Sequence, residues 1–118
     1  MEIQDRTFKF GVNATKFSIR LFKRQELQPS LRQLLRSSTS IGANMEEADG
    51  AVSKKEFVHK ASISFKEAKE TKYWLRIIKE AELLNNQANL DELNILLKEA
   101  GEPSNILGAI LKKAKGNN

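Results

Sequence analysis

A chain of 118 residues, 40% hydrophobic and 30% charged, is sized for one domain spanning 1–118, with a real but modest core. The absence of cysteine excludes a disulfide framework and a thiolate zinc site. No run approaches the ~18 apolar residues of a membrane span, and the charged opening MEIQDRTFKF lacks the apolar segment of a secretory signal, so a soluble, cytoplasmic protein is expected. The formal charge of +5 permits binding to a polyanion but does not by itself require it.

The two prolines leave long stretches free to be helical. The first helix is predicted over residues 5–23. Phe10, Ala14, Phe17 and Leu21 fall on one face at i, i+4, i+7 and i+11, with Asp5 placed to cap the start. Lys23 to Ser30 breaks the pattern: Pro29 disfavours a helical Gln28 and suits a first turn. A second helix follows from Pro29 to Ala48, with Leu31, Leu34, Leu35, Ser38, Ile41, Gly42 and Met45 as its inner stripe. Its run of small residues, Ser37 to Ala43, marks the tightest helix crossing. Such residues have middling helix propensity, so tertiary packing must hold the helix there.

Gly50 is suited to a left-handed C-terminal position after the second helix. Ser53 to Glu56 then has the form of a capping box. The third helix, Lys54 to Leu84, carries two apolar stripes. One holds Phe57, Ala61, Phe65 or Ser64, Ala68, Leu75 and Ile78; the other holds Ile63, Trp74, Ile77, Ala81 and Leu84. A bundle helix needs one stripe for its own core, which points the second, with Ile63, Trp74 and Ile77, at another subunit. The competing reading is one broad stripe serving a single core. Asn89, with Glu92 three residues on, is placed to cap a fourth helix. Gly101 and Pro103 are expected to kink that helix or split it into two collinear pieces. Four helices with short connections predict an all-α, antiparallel, up-down-up-down bundle.

Few residues suggest chemistry. Glu56 and His59 form a Glu-x-x-His, the signature of di-iron bundles, but such sites need the motif on two helices. The chain has one histidine, and Glu56 is already explained as a capping carboxylate. Glu46, Glu47, Glu67 and Glu70 are carboxylates near mid-bundle, read as ion-pair partners rather than acid/base groups. No phosphate loop or nucleophile elbow is present. No catalytic residue, metal or cofactor is therefore expected. Basic residues are spread over every helix, with further clusters at Lys54, Lys55 and Lys60 and at Lys112, Lys113 and Lys115. Arg20, Arg24, Arg32 and Arg36 are the preferred nucleic-acid contacts, since arginine suits phosphate geometry and the four lie within one helix-turn-helix. The alternative is that these arginines pair with Glu46, Glu47 or acids of a neighbouring subunit.

Three segments, RSSTSIGANMEEADGAVSKKEFVHK, EAKETKYWLRIIKEAELL and ILGAILKKAKGN, together resemble the four-helix-bundle proteins encoded in intervening sequences of bacterial 23S rRNA genes. The most specific part is Ser40-Ile41-x-Ala43-Asn44, followed by Ser53 and Glu56-Phe57. Gly101-Glu102-Pro103 departs from the family pattern, where a continuous leucine-rich helix is expected. The resemblance implies a ring-shaped homopentamer and brings no established catalytic activity with it. It also implies a kinship with the accessory protein of diversity-generating retroelements, a basic pentamer that binds nucleic acid and a reverse transcriptase. The expectation is thus a non-enzymatic oligomer that binds RNA or DNA. The rival is a scaffold that binds a protein partner and no nucleic acid.

Overall fold

The computed structural model describes residues 2–116. It contains four α-helices, α1 (Glu2–Leu21), α2 (Gln28–Asp49), α3 (Lys54–Glu80) and α4 (Gln87–Gly116), and no strand among the described residues. The helices form an elongated body of 49 × 22 × 22 Å in which each packs on its chain neighbours and α4 returns to α1. Cross-contacts give the directions. Arg6 meets Glu102 while Arg20 meets Glu92, so α1 and α4 run antiparallel. Lys60 meets Glu47 while Arg36 meets Glu70, which makes α2 and α3 antiparallel too.

The core is the set of inward stripes read from spacing. Phe10, Phe17, Leu31, Leu34, Ile41, Leu75, Ile78, Leu93 and Leu96 are at most 1% exposed. A second, smaller cluster at the other end joins Ile3, Met45, Ala48, Ala61, Leu107 and Leu111. Between them the small residues act as predicted. A Cβ added at Gly42 would lie 3.2 Å from the Thr7 carbonyl oxygen, so α1 and α2 cross nearly backbone to backbone there. Facing α3, the Ser64 hydroxyl donates to the Ile41 carbonyl at 2.9 Å.

The helix ends correct several expectations. Asp5 lies within the first turn of α1 rather than capping it. A short 3-10 turn, Gln25–Leu27, fills the connection to α2. Gln28 is helical despite the following proline, at φ −54 and ψ −46, and its Nε2 donates to the Phe22 carbonyl at 2.8 Å. That local hydrogen bond offsets the pre-proline penalty. Gly50 has φ −88, so the left-handed position expected of it is not used. The one positive-φ residue that is not glycine among the described residues is Glu82, just past α3, which ends at Glu80 instead of Leu84. The α3 cap forms on the residues read for it, with one change: Ser53 Oγ accepts from the Glu56 N–H at 3.0 Å, while the Glu56 carboxylate accepts from the N–H of Val52, one residue before the cap, at 3.1 Å. At the start of α4 the capping side chain is Asn86, whose Oδ1 accepts from the Asn89 N–H at 3.0 Å, and not Asn89. Finally, α4 runs unbroken through Gly101 and Pro103. Pro103 is buried against the core side, so packing holds the helix where one backbone donor is missing.

Candidate nucleic-acid interface

The four arginines preferred from the sequence sit at the end of α1, in the connection and along the first turns of α2. Three of them are engaged within the chain. Arg20 pairs with the Glu92 carboxylate on α4 and donates to Asn89 Oδ1 at 3.1 Å. Arg24 donates to Glu26 at 2.8 Å and, from Nη2, to the Leu83 carbonyl at 2.6 Å, clasping the α3–α4 connection. Hydrogen bonding to the backbone, aided by Arg24, holds the Glu26 carboxyl below its usual pKa. Arg36 reaches Glu67 at 2.8 Å and also pairs with Glu70, bridging α2 to α3. Arg32 instead stacks its guanidinium over the Phe22 ring at 5.3 Å. The partners are therefore Glu26, Glu67, Glu70 and Glu92; Glu47 is taken by Lys60 and Glu46 by Gln4. Each exposed pair contributes only about 0.2–1 kcal/mol, yet together they tie α1 to α4 and α2 to α3.

Pairing leaves a different set of cations without acidic partners among the described residues. Lys54 and Lys55 at the start of α3 lie beside Lys115 near the end of α4, around a hollow of about 420 Å³. Lys66, Lys112 and Lys115 border the adjoining hollow of about 430 Å³, floored by Phe65, Leu111 and Gly108. The antiparallel α3–α4 pairing is what brings these distant lysines together. Both clusters are visible as runs in the sequence; their convergence is not.

The residues assigned to an assembly surface are placed less openly than expected. Ile63, Trp74 and Ile77 are half-buried, and Trp74 packs against the core with its Nε1 donating to Glu70 at 3.1 Å. The most exposed large apolar helix residues are instead Ile19 at 67% and Phe8 at 61%, with Val12 alongside on α1. Phe8 and Val12 flank an open groove of about 540 Å³ between α1 and α2, with Gly11 and Gly42 at its floor. The spacing 8, 12, 19 was a readable signal for this second face of α1. It was hidden because the inward stripe already accounted for that helix. Glu56 caps α3 and His59 is exposed. Among the described residues no three His, Asp or Glu side chains gather where they could hold a metal ion, and no helix is long and apolar enough to cross a membrane.

The family model described as 23S rRNA-intervening sequence protein matches residues 1–108. The chain belongs to that family. A crystal structure of a protein of unknown function from the S23 ribosomal protein family of Bacteroides thetaiotaomicron is similar to it, at 32% identity and a TM-score of 0.82, covering 93% of this chain and 98% of that one. No curated protein matches. The match to the family runs through Gly101-Glu102-Pro103, the segment that departs from the expected leucine-rich pattern, and α4 stays continuous there.

Proposed function

We propose that this member of the 23S rRNA-intervening sequence protein family is a non-enzymatic homo-oligomer that binds RNA or DNA through its basic surface. The observation that supports the reading is the sorting of charge. Carboxylates at Glu67, Glu70, Glu92 and Glu102 are drawn toward arginines of α1 and α2, while lysines of α3 and α4 carry the net positive charge outward. A pentamer, the assembly that the family resemblance implies, would carry roughly five times the chain's charge, which strengthens a long-range field on a polyanion. The contacts are to phosphates, because no element of the fold presents a groove-reading motif. Of the arginines first preferred, Arg32 is the one without an acidic partner among the described residues, and it ranks ahead of Arg20, Arg24 and Arg36 as a contact.

Fluorescence anisotropy of labelled RNA and DNA oligonucleotides at about 50 and 200 mM salt tests this reading. Binding that weakens steeply with salt is expected, as counterions are released from each phosphate contacted. Absence of binding at low salt would favour the scaffold reading, in which a protein partner covers the apolar stripe Phe8, Val12 and Ile19.

A further inference from the structure

We infer that the α3–α4 groove is a track for single-stranded nucleic acid, held by its phosphates without reading its bases; this rests on the nucleic-acid binding proposed above. The two hollows share Lys115 and follow one another along these helices, and no carboxylate lines either.

The helical register extends the track beyond the hollows. From Phe65, steps of four and three residues along α3 give Lys69, Lys72, Arg76 and Lys79. Along α4 the same steps give Asn94, Lys98, Gly101, Asn105, Gly108 and Lys112. Neither row contains an acid. The acids of these helices that form ion pairs lie on other sides, Glu67 and Glu70 toward α2 and Glu92 and Glu102 toward α1. Cations from Lys54 to Arg76 span about 33 Å, close to one per helical turn, and the track ends there, because the hollow at Lys79 is lined by Glu80 and Glu82. That is the footprint of a polymer with a charge on every repeat, not of a small anion.

The chemistry of the rows favours a single strand. The axes of two packed helices lie roughly 8–10 Å apart, so the two lysine rows flank a shallow furrow over which one phosphodiester backbone fits. A duplex would rest on the rims. Gly101 presents open space where a side chain would stand, so a strand can approach the α4 backbone. Lysine offers a point charge rather than arginine's planar fork, which holds phosphate but carries no base geometry. The asparagines add neutral hydrogen bonds to sugar or phosphate.

The test is anisotropy with the full chain and a labelled mixed-sequence 20-nucleotide RNA. The groove variant is Lys66→Glu with Lys112→Glu. The control is Lys16→Glu with Lys23→Glu, which makes the same change in charge on exposed sites around α1. All four lysines are exposed, and circular dichroism checks that both variants fold. The groove variant is expected to bind at least about 30-fold more weakly and the control within about threefold of the parent. With about five phosphates contacted, raising salt from about 50 to 200 mM should weaken the parent roughly 100-fold. Equal losses in the two variants, or displacement of the RNA by poly-glutamate as readily as by unlabelled RNA, would overturn the groove while leaving binding by the chain intact. Tighter binding of a duplex than of its single strands would also overturn it. No binding by the parent at low salt would overturn the nucleic-acid reading and this inference together.

Discussion

The Ser37 hydroxyl of α2 and the Thr71 hydroxyl of α3 share a hydrogen bond of 2.8 Å, and both residues are fully buried. Thr71 Oγ1 also lies 2.8 Å from the Glu67 carbonyl. The two hydroxyls satisfy each other where no water enters. Thr71→Val should therefore cost about 1 kcal/mol, since Ser37 would keep only its long bond to the Leu34 carbonyl at 3.4 Å. The double variant Ser37→Ala with Thr71→Val should cost less than the sum of the singles. Urea denaturation of the four proteins in the cycle measures the coupling. By contrast, Ser18 Oγ is buried without a hydrogen-bond partner among the described residues. Ser18→Ala should be neutral or stabilising in the same assay.

Two glycines should respond oppositely to alanine. Gly101 has nothing within 4 Å of an added Cβ. Gly101→Ala should stabilise α4 by about 0.5–1 kcal/mol through helix propensity alone. At Gly42 the added Cβ would meet the Thr7 backbone at 3.2 Å. Gly42→Ala should lose that gain to separation of α1 from α2, and Gly42→Leu should destabilise strongly. Thermal midpoints of the three variants decide it.

Arg36, Glu70 and Trp74 form a chain on the surface of α2 and α3. Arg36→Ala also unpairs Glu67, whose side chain is only 15% exposed, so it should cost about 1–2 kcal/mol. The Glu70 carboxylate would then be free to reorient away from the indole N–H. A shift in Trp74 fluorescence is expected, and an unchanged spectrum would count against this geometry in solution.

The apolar face of α1 distinguishes two assembly surfaces. Phe8→Glu with Ile19→Glu should reduce the solution mass measured by light scattering if α1 packs on another copy. The change should leave helicity intact, since both side chains are exposed. Trp74→Glu should lower the melting temperature as well, because Trp74 packs against the core. Loss of assembly in Trp74→Glu without loss of stability would restore Ile63, Trp74 and Ile77 as the interface.

Much of this protein was determined by local rules that act within one turn of chain. Apolar spacing set the four helices and their inward faces, and the hydroxyl and carboxylate of Ser53 and Glu56 set where α3 begins. The run Ser37 to Ala43 announced a close crossing because small side chains have no other packing use at that spacing. Tertiary structure decided what local rules leave open. Pro103 stays helical because its ring is buried. Which cations are neutralised depends on contacts between residues far apart in sequence: Arg20 with Glu92, and Arg36 with Glu67 and Glu70. Coulomb attraction acts across space rather than along the chain. Arg20 and Arg36 were therefore tied up by neighbouring helices, and lysines some 50 residues apart came to face one another across α3 and α4.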